Sequence, residues 1–391
     1  MPVSAVGARQ LASGTAEIAL NENRNEKAND STLVAQACRI LPLDATQEGE
    51  HMSTISHLTN AAWHLTARPV GLPTAADFTW RESRLPDLAP GQVRVRNIWL
   101  SIDPTNRIWM NDADSYLPKI ELGEVMRGIG IGRVEESRDA SLQAGDLVQG
   151  MLGWQRYCLI PAKALNRLPP IPLPLSAHFG LLGHIGLTAF FGLTDVGQAR
   201  AGETLVVSAA AGAVGSLAVQ IGKNLGMRVV AIAGGAEKCR WLSDELGADA
   251  VIDYKAEDVD AGLQRTCPDG VDVDFENVGG RTLDAVLGRI KLGARIVLCG
   301  MIAQYNATAP EPGPANLARL LMQRGRIQGF IVLDYLDRAA EAAEKLIAWH
   351  LAGRIKYRLD VTDGLEQAPA ALGKLFAGTN TGKVLVRVSD E

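Results

Sequence analysis

Cysteine is scarce in this 391-residue sequence, and its five cysteines do not stand in the close pairs that bind zinc or build a disulfide framework. They lie far apart, at Cys38, Cys158, Cys239, Cys267 and Cys299. Isolated cysteines of this kind are typical of reduced thiols, so we expect a cytoplasmic protein without structural disulfides.

An excess of basic residues is also missing. Lys and Arg number 39 against 44 Asp and Glu, which gives a net charge of −5. Because no sequence-wide positive field is available to hold phosphates, we predict no nucleic-acid partner. No apolar run approaches the roughly 18 residues that a membrane span requires, so we predict no membrane segment. A composition with 47% hydrophobic and 21% charged residues is that of an ordinary globular protein.

Regular hydrophobic periodicity is missing from residues 1–57. The stretch "ALNENRNEKANDSTLVAQ" is polar and rich in Asn. It lacks the apolar core of a secretory signal and contains acidic residues, which transit peptides avoid. We predict a disordered tail outside the fold, with Met52 as a candidate start, and a short partner-binding arm as the alternative.

The next segment, residues 58–178, has the pattern of a compact β domain. "GQVRVRNIWLS" alternates apolar and polar residues as a half-buried strand does, and "GIGIGRVEES" and "GDLVQGM" are further strand-and-turn units. Glycine and proline punctuate the whole region. The proline-rich "LPPIPLPLS" cannot form a helix interior, so we interpret it as a connector.

Strands alternate with helices from Glu203 onward, which predicts a parallel sheet with crossover helices. "TLVVSAA", "RVVAIAG", "AVIDY", "VDVDFENVG", "RIVLCG" and "RIQGFIV" are the predicted strands. We therefore predict an α/β protein, with a doubly wound, Rossmann-type domain over residues 179–351. Residues 352–391, ending in "GKVLVRV", are predicted to return to the first domain.

A glycine-rich turn opens the first helix of this region. It contains Ala210, Gly212, Ala213, Val214 and Gly215 and matches G-x-G-x-x-G with Ala in the first position. Gly212 lets the backbone approach a pyrophosphate, and Gly215 allows close packing of helix and strand. Because the free N–H groups of the helix point toward this turn, we predict that it binds the phosphates of a dinucleotide.

The acid that would bind an adenosine ribose is missing after the second strand. Gly234 and Gly235 stand there instead, followed by Lys238. This arrangement removes the repulsion of a 2′-phosphate and supplies an ammonium, so we predict NADP(H) as the cofactor. Glu237 could still contact the ribose, which leaves NADH as an alternative, and Lys238 could instead be a solvated lysine.

The order of several motifs resembles the zinc-free medium-chain dehydrogenase/reductase superfamily, in particular its alkenal/one oxidoreductases. The motifs are "LSIDPTNRIWM", "LGEVMRGIGIGRV", "GLTAFFGL", "AAAGAVGS", "FENVGG", "GMIAQYN" and "NTGKVLVRV". The resemblance implies a GroES-like β domain beside the Rossmann domain. Zinc ligands are missing, since "LGEVMRG" lacks the Gly-His-Glu of zinc enzymes, so we predict no metal.

The resemblance also implies the reaction, which is the NADPH-dependent reduction of the C=C bond of an α,β-unsaturated ketone or aldehyde. It places Tyr305 of "GMIAQYN", and next Tyr116, near the substrate, although either could be a rim or core tyrosine. Thr105 and Asn106 stand where the family often has Tyr-Met, and Asn106 could donate to a carbonyl. His184 stands where many members of the family have an apolar residue, and it is either a packed histidine or a proton relay.

The remaining cofactor contacts implied by the resemblance are Tyr254, Asn277 and Asn380. Two other functions stay open: a quinone reductase with the same cofactor site, or an NADPH-binding protein without catalysis. Members of the family are commonly dimers, so a homodimer is a further expectation.

Overall fold

The structure is a computed structural model that describes residues 58–113 and 115–391. The predicted disordered tail, residues 1–57, therefore lies outside the described residues.

The first domain is built from short strands. They are β1 (Thr59–Leu65), β2 (Phe78–Arg84), β3 (Gln92–Ser101), β4 (Gly130–Ser137), β5 (Leu147–Gly150), β6 (Tyr157–Pro161) and β7 (Asn166–Arg167), with one short helix, α1 (Thr105–Trp109), after β3. The long strand β3 begins with the alternating burial that its sequence pattern predicts and becomes fully buried at its end. Its end leads directly into α1, so residues 102–109 emerge from the core of this domain.

The second domain is a six-stranded parallel sheet with helices between the strands. Its strands are β8 (Thr204–Val207), β9 (Arg228–Ala233), β10 (Ala250–Asp253), β11 (Val271–Glu276), β12 (Ile290–Leu298) and β13 (Arg326–Gly329). Its helices are α2 (His184–Phe191), α3 (Ala213–Asn224), α4 (Ala236–Arg240), α5 (Val259–Thr266), α6 (Gly280–Leu287), α7 (Ala318–Gln323) and α8 (Ala339–Leu351).

The strand order is β10-β9-β8-β11-β12-β13, and every neighbouring pair is parallel. The chain moves outward from β8 in one direction and then returns to add β11 on the other side. The carboxyl end of β8 is therefore the point where the order reverses, which is where open α/β sheets bind ligands. The predicted α/β class with a doubly wound sheet is confirmed.

The C-terminal residues form β14 (Leu359–Asp363), α9 (Ala368–Ala377) and β15 (Lys383–Arg387). Strand β15 pairs antiparallel with β3, so the last strand joins the sheet of the first domain, whose order is β14-β15-β3-β4-β5-β7 with β6 also on β3. The turn before β15 also contacts the second domain, because Gly382 N donates to Ala211 O at 3.2 Å. This segment connects both domains at the glycine-rich turn.

One helical stretch, His178–Val196, is long and apolar enough to cross a membrane by length and composition, with a mean hydropathy of 1.4. It comprises α2 and a π-helical turn on either side. The prediction that no apolar run approaches this length missed the stretch, in which His184, Thr188 and Asp195 stand among the apolar residues. Of its residues, 72% are buried inside the protein, as in the core helix of a globular domain.

Candidate functional site

A cavity of about 1230 Å³ lies between the two domains. Its wall includes the carboxyl ends of the parallel strands on one side and the segment after β3 on the other. Side chains that line it from both sides include Asp103, Thr105, Tyr116, Lys238, Tyr254, Asn277, Tyr305 and Lys383. The volume exceeds that of an ordinary small-molecule pocket, so one cavity can accept a dinucleotide together with a second ligand.

The glycine-rich turn forms the middle of this wall. Gly212, Ala213, Val214 and Gly215 line the cavity, and Gly212 is the N-cap of α3. A Cβ on Gly215 would lie 2.4 Å from the carbonyl oxygen of Ala209, so only glycine fits where the helix meets the turn. The turn therefore has the close backbone approach that a pyrophosphate requires.

Ala210 was also predicted to belong to this turn, but it does not line the cavity. Its side chain is completely buried, and its N–H donates to Ile232 O at 2.9 Å. Ala209 lines the cavity instead, with a left-handed φ of 46°. The motif identifies the turn but not which of its residues faces outward.

The residues predicted to surround a 2′-phosphate lie together. Lys238 is half-buried, and its Nζ donates to Gly378 O at 2.8 Å. Burial lowers the pKa of this ammonium, and the nearby Lys255 lowers it further. Tyr254 covers Gly234 so closely that a Cβ there would lie 2.6 Å from its ring. The ammonium of Lys238 and the phenol of Tyr254 thus line a niche that Gly234 keeps open.

Glu237 was the residue that could contact the ribose of NADH. It is exposed and is not part of the cavity wall. Asn277 and Asn380 both line the cavity. Asn277 Nδ2 donates to Ser208 O at 2.7 Å, and Asn380 Nδ2 donates to Gly382 O at 3.2 Å. Each amide is therefore held by the backbone beside the glycine-rich turn.

Tyr305 lies in the loop after β12. Its hydroxyl accepts a hydrogen bond from the N–H of Met301 at 3.2 Å. Burial raises the pKa of this phenol, while the hydrogen bond from Met301 opposes the rise. Because the hydroxyl accepts from Met301, it keeps its own proton to donate to a ligand in the cavity.

Tyr116 lies opposite, in the first domain, and its hydroxyl forms a short hydrogen bond with the hydroxyl of Thr105. Burial raises the pKa of Tyr116. The suggestion that Asn106 could donate to a substrate carbonyl is wrong. Asn106 is 1% exposed, its Oδ1 accepts from Asp103 N at 2.7 Å, and its Nδ2 donates to Arg127 O at 3.1 Å. Its amide stabilises the start of α1 instead.

A buried charge cluster that sequence analysis missed lies in the same wall. Lys383 is 2% exposed, and its Nζ donates to Asp103 Oδ1 at 2.8 Å and to Ile102 O at 2.7 Å. His184 Nε2 lies 3.2 Å from the same Asp103 oxygen. Burial opposes ionisation of Asp103, but Lys383 and His184 outweigh it and hold the pKa of this carboxyl well below its usual range.

Arg107 links the first domain to the loop that contains Tyr305. Its guanidinium is buried and donates to Gly71 O and to Asn306 Oδ1, both at 3.1 Å. Because Asn306 directly follows Tyr305, these hydrogen bonds hold the loop against the first domain.

Among residues 58–113 and 115–391, no group of three His, Cys, Asp or Glu side chains is placed to hold a metal ion. Cys299 lines the cavity near Glu276, and burial raises the pKa of its thiol to about 12. The cavity wall thus presents hydroxyl, amide and ammonium groups to a ligand, and an unreactive thiol.

Two known families match the chain. The family described as the N-terminal domain of oxidoreductase matches residues 61–168, and the family described as zinc-binding dehydrogenase matches residues 213–349.

Individual proteins are similar over most of the chain. The NADPH-dependent curcumin reductase of Escherichia coli K12 is 43% identical over 337 residues, which are 85% of this chain and 98% of that protein. The 2-alkenal reductase (NADP(+)-dependent) of Nicotiana tabacum is 45% identical over 302 residues, 76% of this chain and 88% of that protein. The crystal structure of CurA from Vibrio vulnificus in complex with NADPH is 43% identical and superposes with a TM-score of 0.81, covering 85% of this chain and 100% of that one.

Proposed function

The chain belongs to the medium-chain dehydrogenase/reductase superfamily, in its zinc-free alkenal/one oxidoreductase group, and we propose that it reduces the C=C bond of α,β-unsaturated ketones or aldehydes with NADPH. One observation carries the proposal: a single cavity runs from the glycine-rich turn to the hydroxyls of Tyr305 and Tyr116. A dinucleotide bound at the turn and an oxygen-containing substrate near the tyrosines would therefore meet in one space.

The residues of the chain fit NADPH. The backbone of Gly212–Gly215 would hold the pyrophosphate, and Lys238 with Tyr254 would surround the adenosine 2′-phosphate. A CurA structure at 43% identity contains NADPH, which supports the same cofactor here. When bound, NADPH supplies the hydride that adds to the β-carbon of the substrate.

The hydroxyls of Tyr305 and Tyr116 donate hydrogen bonds to the substrate carbonyl oxygen, on which negative charge develops during the reduction. Burial raises the pKa of both phenols, so each keeps the proton that it must donate. Preorganised donors of this kind contribute about 3–4 kcal/mol to transition-state stabilisation. A C=C reduction of this type needs no metal, since hydrogen bonds alone can support the enolate.

The experiment is a substrate panel. Purified protein is mixed with NADPH and, in turn, with a 2-alkenal, an enone and a quinone, and oxidation is followed at the nicotinamide absorbance band. We expect turnover of the alkenal and the enone, with saturated products. Turnover of quinones alone would contradict the proposal and would indicate that the protein is a quinone reductase. Tight NADPH binding without turnover of any acceptor would indicate a binding protein.

We further propose that the protein is a homodimer. Strand β13 is the edge of the parallel sheet, and most of its residues are exposed. Leu321 and Met322 of the preceding helix are 76% and 67% exposed. An open edge with apolar neighbours is a template for pairing with a second copy around a two-fold axis. Light scattering should give twice the chain mass and a lower mass for Leu321→Glu, whereas Val70→Glu, at an exposed position in the first domain, should leave it unchanged.

A cytoplasmic location is part of the proposal. Cys239, Cys267 and Cys299 are free thiols, and burial raises the pKa of each, which suits a reducing compartment.

A further inference from the structure

The loop that brings Tyr305 into the cavity follows β12, and its base and its tip are held by different domains. We call residues 299–308 the Tyr305 loop. At its base, Ile302 N donates to Asn277 O at 3.1 Å, so this part of the loop is fixed to the parallel sheet. From residue 307 to residue 313 the chain is exposed. The position of Tyr305 therefore depends on what holds the tip of the loop.

One hydrogen bond connects the tip to the first domain. Arg107 Nε donates to Asn306 Oδ1 at 3.1 Å. In the part of the chain that the structure describes, no other hydrogen bond joins the Tyr305 loop to the first domain. Gly71 lies beside this bond, since a Cβ added to it would lie 4.0 Å from Asn306 O and 3.8 Å from Thr308 Cγ2. The loop and the first domain are thus in contact around Arg107.

The guanidinium of Arg107 is fixed by the first domain. It is 3% exposed, and its Nη2 donates to Pro69 O at 3.1 Å. Its Nη1 donates to Asn111 Oδ1, and its Nε is shared between Gly71 O and Asn306 Oδ1. A change at Asn306 therefore leaves the Nε hydrogen with a partner. A change at Arg107 would instead leave the buried carbonyl of Pro69 without this donor, which is costly.

Helix α1, which contains Arg107, also holds Tyr116. The hydroxyl of Thr105 is hydrogen bonded to that of Tyr116, and the ring of Trp109 packs edge-on against the Tyr116 ring with centroids 6.4 Å apart. Burial is the main cause of the raised pKa of Tyr305, and the charge of Tyr116 is among the other causes, as expected for two phenols that lie near each other. One short helix therefore contacts both Tyr116 and the Tyr305 loop.

We propose that the hydrogen bond between Arg107 and Asn306 positions the hydroxyl of Tyr305 for the reduction. By tying the Tyr305 loop to α1, it fixes this hydroxyl relative to that of Tyr116. This inference rests on the proposed function. Donors stabilise developing charge when they are preorganised, and a displacement of about 1 Å can lower a rate roughly 100-fold. Arg107 and Asn306 are therefore positioning residues, which act through Tyr305.

The first test measures kcat for an enone at saturating NADPH in three variants. Asn306→Leu keeps the approximate size of the side chain but removes the acceptor, so kcat should fall roughly tenfold. Asn306→Asp keeps an oxygen that accepts from Arg107 and should retain most of the wild-type kcat. Gln304→Leu, on the same loop but outside the cavity wall, is the matched control and should retain the wild-type kcat. Wild-type kcat in Asn306→Leu, or equal losses in the Leu and Asp variants, overturns the inference.

The second test separates positioning from direct contact with the substrate, because Asn306 itself lines the cavity. In Tyr305→Phe the hydroxyl is already missing. Adding Asn306→Leu to this variant should lower kcat by about twofold or less, since the two changes act on the same group. Losses that multiply would show that Asn306 acts on the substrate independently of Tyr305, which contradicts the inference.

The third test needs no turnover. Hydrogen–deuterium exchange of a peptide that covers residues 301–308 measures local opening of the Tyr305 loop. Exchange should be faster in Asn306→Leu than in wild type, and as slow as wild type in Asn306→Asp and Gln304→Leu. Equal exchange in wild type and Asn306→Leu would show that Arg107 does not hold the loop.

The two proposals fail in distinguishable ways. If wild-type protein reduces no enone, the proposed function fails and this inference with it. If wild-type protein is active and Asn306→Leu retains its kcat, only the role of the hydrogen bond between Arg107 and Asn306 fails.

Discussion

Asp274 offers a sharp test of how burial and charge balance in this fold. It lies on the central strand β11, between Val206 of β8 and Ile296 of β12, and is completely buried. No donor within residues 58–113 and 115–391 reaches either of its carboxylate oxygens. Glu276, two residues along on the same face, is equally buried. Burial, with Glu276 as the second cause, raises the pKa of Asp274 well above its usual value, so Asp274 keeps a proton at a pH where an exposed carboxyl is ionised.

The perturbation is Asp274→Asn. An amide donates to Glu276 as a protonated acid would, but it needs no proton to do so. Because the folded pKa of Asp274 is raised, its contribution to stability is present below the unfolded value near pH 4 and is lost as pH rises toward the folded value. Each pH unit inside that window costs wild type about 1.4 kcal/mol per retained proton. The variant should therefore be more stable than wild type, by a margin that grows with pH at about this rate.

The assay is urea unfolding at several pH values between about 5 and 8, followed by tryptophan fluorescence. The matched control is Asp272→Asn on the same strand, where the carboxylate accepts from Thr204 N and Lys291 Nζ, each at 2.8 Å. That change removes an ion pair and should not increase the free energy of unfolding at any pH. The reasoning is refuted if Asp274→Asn destabilises the protein at high pH, or if its advantage does not increase with pH.

Three further predictions concern the site. Lys238→Ala should weaken NADPH binding by roughly 10- to 100-fold and NADH binding much less, because a charge-assisted hydrogen bond is worth about 1.5–3 kcal/mol; equal losses in a fluorescence titration would show that the 2′-phosphate lies elsewhere. Tyr305→Phe should lower kcat for an enone by about 100-fold or more with little change in KM, whereas Tyr357→Phe, outside the cavity wall, should not; a similar loss in both would remove the special role of Tyr305. Dialysis against a chelator should leave enone reduction unchanged, and metal analysis should find no stoichiometric zinc; a loss restored by zinc would contradict the account.

The parallel sheet could be predicted because its signals are local. Strands such as "TLVVSAA" and "RVVAIAG" are short apolar runs that end in glycine or a turn, and the structure has β8 and β9 there. The glycine-rich turn could be predicted for the same reason. The spacing of its glycines places Gly215 where the backbone leaves no room for a Cβ. Helix α9 and the five-residue strand β14 were not predicted individually, since only the final strand of the C-terminal segment was identified from its sequence.

The buried cluster could not be predicted, because it depends on contacts between distant residues. Lys383 lies 280 positions from Asp103, and nothing in either sequence neighbourhood shows that they meet. The role of Asn106 was missed for the same reason, since its partner Arg127 is brought near by folding. Sequence patterns indicate which residue types are present at a site, whereas their partners follow from the packing of the two domains.

The most direct test of the account is the fate of the transferred hydride. NADPH deuterated at the reactive position of the nicotinamide is incubated with the protein and an α,β-unsaturated ketone, and the product is analysed by NMR. The account predicts a saturated ketone with deuterium at the β-carbon. An allylic alcohol with deuterium at the carbonyl carbon would contradict it.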